Sequence, residues 1–198
     1  CPRLVEAARL VADPQVRNRG TIGGDVAHGD PGNDHPAVML ALDATLVLHG
    51  PDGERQQPAN GFFLGTYWND LQEQEILVEL RVPVIKKGVG HGYSKLKRKT
   101  GDYAVAGSPV VIELDGDVCR DIRIALTNVA PMAIRAEAAE NILRGKVIDD
   151  ALIEQAAAEV LAVCDPAEDL RGDILYKSHM GAEMARRSIR AALQQARG

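Results

Sequence analysis

Val105-Ala106-Gly107-Ser108-Pro109-Val110-Val111-Ile112-Glu113-Leu114-Asp115-Gly116-Asp117-Val118-Cys119-Arg120-Asp121-Ile122-Arg123-Ile124-Ala125-Leu126 decides the fold class of this chain. Two apolar runs, Val105 to Leu114 and Val118 to Leu126, flank the hairpin signal Asp115-Gly116-Asp117, the kind of tight turn that joins antiparallel strands. Just upstream, Tyr93 to Arg98 reads as a third, basic strand. Downstream of Met132 the pattern turns helical, with segments near 132–144, 149–164 and 173–196 rich in Ala, Leu and Glu, good helix formers. Strands followed by helices predict an α+β domain, here a three-stranded antiparallel sheet packed on three helices. The helices read as a cover for the sheet with no chemistry of their own, and Glu183 and Arg187 are spaced for an i,i+4 pair.

Working back toward the start, a helix is expected at 3–12 from Leu4, Val5, Ala8 and Val11, with Asp13-Pro14 as its stop. Arg17-Asn18-Arg19-Gly20-Thr21-Ile22-Gly23-Gly24 reads as a loop. Asp34 is placed as the cap of a helix with Pro36 in its first turn and Val38, Met39, Leu40 and Leu42 as its buried face. Thr45 to Leu48 is a strand and Gly50-Pro51-Asp52-Gly53 a turn. Ile76 to Val82, alternating through Ile76, Val78, Leu80 and Val82, is a second strand that Pro83 ends. Charge and glycine at Lys86-Lys87-Gly88 suggest a boundary between two small domains, 1–86 and 87–198, and no internal repeat is visible.

The 198 residues suffice for two cores, and 45% apolar with 26% charged residues is ordinary globular composition. A net charge of −5 gives no long-range pull toward nucleic acid or an anionic membrane. The basic run Lys95 to Lys99 is read as a solvated strand and turn, with a patch for an acidic partner or for phosphates as the other reading. Cys1, Cys119 and Cys164 are odd in number and scattered, which makes no disulfide framework and suits a reducing cytoplasm; Cys119 and Cys164 fall in apolar patterns and read as core residues. No apolar run approaches the roughly 18 to 20 residues of a membrane span, so no membrane insertion is expected. The five histidines lack metal-ligand spacing, and no Ser-His-Asp or Cys-His arrangement points to a hydrolase. A start at Cys1-Pro2-Arg3, running straight into a helix without Met, suggests a piece of a longer chain.

Gly20-Thr21-Ile22-Gly23-Gly24 puts three glycines within five residues. Such a loop leaves backbone N–H groups unshielded and permits positive φ, which suits a phosphate. Thr21 adds a hydroxyl, and Asp34 could accept hydrogen bonds from a ribityl or ribose hydroxyl. The other reading, a tight structural loop with a capping Asp, stays open. The segment is neither a Rossmann nor a Walker motif, having no G-x-G-x-x-G after a strand and no Gly-Lys-Ser/Thr.

The runs Val16 to Gly24, Ala27-His28-Gly29-Asp30-Pro31 and Asn33-Asp34-His35-Pro36-Ala37, with Glu75-Ile76-Leu77, Arg81-Val82-Pro83 and Tyr93 to Ala104, resemble the FAD-binding medium subunit of the molybdenum hydroxylases, the xanthine dehydrogenase and aerobic carbon monoxide dehydrogenase family. Lys95-Leu96-Lys97-Arg98-Lys99-Thr100-Gly101-Asp102 is most similar to the carbon monoxide dehydrogenase branch. The resemblance implies that 1–86 is the second lobe of the FAD-binding domain and 87–198 the C-terminal α+β domain. It implies an oxidoreductase subunit whose FAD takes electrons from iron–sulfur centres and hands them to an external acceptor. The molybdenum cofactor and the [2Fe–2S] clusters would sit only in partners, a large and a small subunit, in a dimer of heterotrimers. Three scattered cysteines agree, because such a cluster needs four ligands.

For the site, the resemblance implies Thr21, Ile22, Gly23, Gly24 and the backbone of Asp25 around the pyrophosphate and ribityl region. Asp34 would accept from cofactor hydroxyls, Leu77 would pack on the cofactor, Tyr93 would lie near the isoalloxazine, and Lys95 is a further contact. A core leucine and a half-buried strand tyrosine are the plainer readings of Leu77 and Tyr93. Relatives carry an N-terminal lobe with its own glycine-rich motif that this sequence lacks, so residues 1–198 alone are expected to fold but carry no FAD. The competing reading is a non-enzymatic subunit-docking module whose glycine loop is purely structural.

Overall fold

The structure, a computed structural model, describes residues 2–84 and 88–198. Lys86 and Lys87 of the expected boundary lie outside the described residues. The first helix, α1 (Pro2–Leu10), is followed by two more where a loop was expected, α2 (Pro14–Arg19) and α3 (Ile22–His28). The loop expectation is wrong for a capping reason. Asp13 accepts from the Val16 amide with Pro14 at the first helical position, so Asp13-Pro14 starts a helix rather than ending the region. Thr21 caps α3 in the same way through the Gly24 amide, and Val26 buries on the core side. Only Gly20 and Thr21 separate the two helices, and neither Gly20, Gly23 nor Gly24 has positive φ.

The fourth helix, α4 (Asp34–Ala41), is buried along its entire length. Its cap position is Asn33, and Asp34 is the first residue inside, one later than the sequence suggested. Next come β1 (Thr45–Gly50), β2 (Gly53–Pro58), β3 (Phe63–Gly65), β4 (Trp68–Asn69) and β5 (Ile76–Arg81). Strands β2, β1 and β5 form an antiparallel sheet in that order, and β3 pairs with β4. A register shift opposite Val47 and Leu48 splits the alternation of β5, which holds at Leu80 and Val82 and fails at Ile76 and Val78. Ile76 and Val78 point to solvent at 68% and 54% exposure, while Leu77 and Leu80 pack on the core. Arg55 on β2 clamps the loop between β4 and β5, donating to Asp70 at 2.7 Å and to Glu75 at 2.6 Å and 2.7 Å. The Arg55 hydrogen bonds hold the Glu75 carboxyl down to about 2.

The second half contributes β6 (Val89–Leu96), β7 (Ala106–Asp115), β8 (Val118–Leu126), β9 (Ile134–Arg135), α5 (Glu137–Leu143), α6 (Asp150–Ala162) and α7 (Ile174–Arg197). The α+β architecture stands as expected, with the meander extended by β9 into the antiparallel order β6-β7-β8-β9. That short strand takes residues expected to open the first helix. The Gly116 turn has φ of 59°, the left-handed value that a two-residue hairpin uses. Strand β7 reads as a continuous apolar run because both faces are covered. Val110 and Ile112, with Ile122 and Ile124 of β8, face the helices α5, α6 and α7, while Val111 and Ala125 join the core around α4.

Two further features were not foreseen. Gly90 and Gly92 of β6 let α7 lie directly on the strand: a Cβ at Gly92 would come within 2.6 Å of the Ser188 carbonyl oxygen, and one at Gly90 would overlap that of Ala192. Glu140 on α5 is fully buried and accepts from the Ile124 amide, from Arg135 and from Arg144, so the helical layer carries a satisfied ionic knot rather than apolar contacts alone. Burial pushes both the Cys119 and the Cys164 thiols up to about 11, which makes them poor nucleophiles.

Candidate functional site

A cleft of about 510 Å³ opens between α1 and the α2–α3 segment. Its walls are apolar, from Leu4, Val5, Ala8, Val11, Val16 and Ile22. One end is polar, formed by Thr21, Gly24, Asp25 and His35. Arg17 fixes the rim by donating to the Val11 carbonyl at 2.6 Å, beyond the last turn of α1.

The first turn of α3 explains why glycines stand where they do. Thr21 Oγ1 accepts from the Gly24 amide at 3.0 Å, and the Asp25 amide donates to the Thr21 carbonyl at 3.0 Å. A Cβ on Gly24 would sit 2.9 Å from that threonine oxygen, so the second glycine makes room for the cap. Gly23 has open space above it, with no heavy atom within 4 Å of where a Cβ would stand. Among the described residues the amides of Ile22 and Gly23 have no acceptor; a helix start leaves such groups free. The two amides and the open face of Gly23 can take an oxyanion, and the apolar walls can take a flat ring system.

Around this turn the remaining polar groups are tied to one another. Asp25 Oδ2 lies 2.6 Å from His35 Nδ1, and Asn33 Nδ2 donates to the Asp25 carbonyl at 2.9 Å. These contacts lock α3 to the start of α4, and sequence reasoning gave neither His35 nor Asn33 a role in the site. Asp34 turns away from the cleft: its Oδ2 takes Lys95 Nζ at 2.7 Å and its Oδ1 takes the Tyr93 hydroxyl. Lys95 also donates to the Leu10 carbonyl at 3.2 Å, closing the end of α1. Both charged side chains are 4% exposed or less. Burial, then the Asp34 charge, pushes the Tyr93 phenol well above its ordinary value.

Of the nine residues singled out from the sequence, Thr21, Ile22, Gly24 and Asp25 line the cleft and Gly23 shares their turn. Asp34, Tyr93 and Lys95 form a separate, internally satisfied group joining α4, β6 and α1, and Leu77 is half-buried on β5 opposite Leu48. The solvated reading of Lys95 to Lys99 is therefore corrected at Lys95, whose ammonium is enclosed, while Arg98 stays exposed as it donates to Asp102 at 3.0 Å. Removing one partner of a buried pair strands the other charge, which costs about 3–5 kcal/mol. Lys95→Met is accordingly expected to lower unfolding free energy by about 3 kcal/mol, measured by urea denaturation, whereas an exposed ion pair would cost under about 1 kcal/mol.

Residues 1–85 match the family described as FAD binding domain in molybdopterin dehydrogenase, and residues 91–192 match CO dehydrogenase flavoprotein C-terminal domain. The carbon monoxide dehydrogenase medium chain of Hydrogenophaga pseudoflava is 56% identical over 191 residues, covering 96% of this chain and 67% of that one. The chain belongs to the carbon monoxide dehydrogenase flavoprotein family. The medium chain of the same name from Afipia carboxidovorans is 42% identical, covering 99% of this chain and 68% of that relative. Among solved structures, a carbon monoxide dehydrogenase from Hydrogenophaga pseudoflava that lacks the Mo-pyranopterin moiety superposes with a TM-score of 0.97 at 58% identity, over 98% of this chain and 68% of its own. The half of the chain that carries the open turn at Ile22 and Gly23 is thus the half that matches a domain named for its flavin.

Proposed function

We propose that this chain holds FAD for an oxidoreductase of the carbon monoxide dehydrogenase type, with the turn Thr21 to Gly24 as its pyrophosphate cradle. The observation that carries the reading is the pair of unpartnered amides, Ile22 and Gly23, beside an open face at the end of an apolar cleft. The residues fit the group. Amides without a protein acceptor favour phosphate oxygens, and the one carboxylate on the turn, Asp25, is engaged by His35 instead of facing them. Flavin chemistry would supply conversion of single electrons, received from iron–sulfur centres, into pairs for an acceptor. The protein's part is position: Thr21 shapes the turn, Ile22 offers apolar contact, and Leu77 lies on the strand nearest α3.

The buried group of Asp34, Tyr93 and Lys95 contributes by holding α1, α4 and β6 in register, so that both walls of the cleft keep their spacing. Residues 1–86 serve as the flavin lobe and 87–198 as the domain that backs it. The assembly is read as a dimer of heterotrimers with molybdenum-binding large and iron–sulfur small subunits, in the cytoplasm. Support for a working life inside an assembly comes from Leu170, just before α7, and Leu175, in its first turn, which are 88% and 68% exposed; exposed apolar side chains near one another mark contact surfaces.

The test is direct. The subunit with its complete natural chain should purify yellow, with flavin released on denaturation and recovered on adding FAD. A colourless protein that resists reconstitution would favour the docking module with a structural glycine turn.

A further inference from the structure

In the reading above His35 serves only to engage Asp25. It is the second residue of α4, 6% exposed, and lines the polar end with Thr21 and Gly24. Asp25 Oδ2 lies 2.6 Å from its Nδ1, and a carboxylate can only accept there, so the ring proton sits on Nδ1. A neutral imidazole then presents a lone pair at Nε2. Among the described residues Nε2 has no partner, and it is open rather than sealed. An open nitrogen on a nearly buried ring at the polar end of the cleft, with its other nitrogen pinned, is a built acceptor.

An acceptor repels phosphate oxygens and selects a hydroxyl. We propose that His35 is a ligand-binding residue of the cleft, its Nε2 accepting a hydrogen bond from a ribityl or ribose hydroxyl of the bound flavin dinucleotide. The inference rests on the FAD reading and deepens it by giving the cleft a polarity. Phosphate goes to the Ile22 and Gly23 amides at the start of α3, and the hydroxyl-bearing chain goes to the start of α4. Asp25 is the positioning residue: it touches no ligand and fixes which ring nitrogen carries the proton. A ligand without the hydroxyl would leave Nε2 desolvated and unpaired, which is how a polar site rejects an analogue.

The experiment is an equilibrium titration of the apo subunit, complete chain, with FAD, for the natural protein, His35→Leu and His35→Gln, each checked by circular dichroism and thermal melting. His35→Leu should bind about tenfold more weakly, as expected for one lost hydrogen bond of about 1.4 kcal/mol. His35→Gln, which keeps an acceptor, should recover most of that loss, with the two variants melting alike. Equal affinity for the natural protein and His35→Leu would overturn the role of His35 while leaving the FAD reading intact. Equal weakening in Leu and Gln variants with lowered melting would also overturn it, in favour of packing. A natural protein that binds no FAD would sink the FAD reading and this inference together.

Discussion

Replacing Gly23 and Gly24 with valine is expected to abolish flavin retention while leaving the C-terminal sheet and helices folded. The two substitutions act differently. At Gly23 a side chain would fill the open space through which a phosphate reaches the Ile22 and Gly23 amides. At Gly24 a Cβ would stand 2.9 Å from Thr21 Oγ1 and push the cap off the helix, with a cap worth about 1 kcal/mol. Loss of two charge-assisted hydrogen bonds of roughly 1.5–3 kcal/mol each should weaken FAD by at least about a hundredfold. The double variant should therefore purify colourless, with a far-ultraviolet spectrum close to the natural one. Wild-type flavin occupancy in that variant would remove the turn from the site.

The second large effect lies at Gly90. Its position on β6 faces α7 so closely that any Cβ would overlap the Ala192 carbonyl oxygen and crowd Ala196. Backbone on both sides prevents relief by rotating a flexible side chain. Gly90→Val should consequently cost more than about 4 kcal/mol, in the range where a small domain ceases to fold. The expected result is insoluble protein, or soluble protein with the α7 helix signal lost. A Gly53→Ala variant is the comparison, because Gly53 has open space around it and a strain confined to its own φ of 108°. Unchanged chemical denaturation of Gly90→Val would mean that α7 does not rest on β6 in this way.

Much of the fold was legible because its signals are local. The hairpin at Gly116 and the apolar runs around it gave β8 its limits, and the Ala- and Leu-rich pattern marked α6 and α7. What was misread is equally instructive. Arg17 to Gly24 looks like a loop by propensity, yet Asp13 with Pro14, and Thr21 with its bond to the Gly24 amide, are start signals whose effect on capping outweighs weak helix formers. Strand β2, Gly53–Pro58, carries no apolar alternation because it is an exposed edge held by backbone pairing to β1. In β5 the alternation was visible, but the shift opposite Val47 and Leu48 split it, so that Leu77 packs on the core in place of Ile76 and Val78, and such a slip has no sequence mark.

The site divides along the same line. Thr21 to Asp25 form one contiguous turn, and the sequence pointed at them directly. Lys95 and Asp34 meet across 61 positions, and Asp25 meets His35 across 10. Pairings of that kind depend on how α3, α4 and β6 pack, so a lone lysine in a basic run looked solvated and a lone histidine looked inert. The two partners of Asp34, Tyr93 and Lys95, could likewise be identified only from the fold.

The account stands most directly on one comparison, the affinity of the apo subunit, in its complete natural chain, for FAD and for riboflavin, which has the same ring and ribityl chain but no phosphate. If the amides of Ile22 and Gly23 cradle the pyrophosphate, FAD binds at least about a hundredfold tighter in an equilibrium fluorescence titration, by the same hydrogen-bond arithmetic. Equal affinities for the two flavins would contradict it.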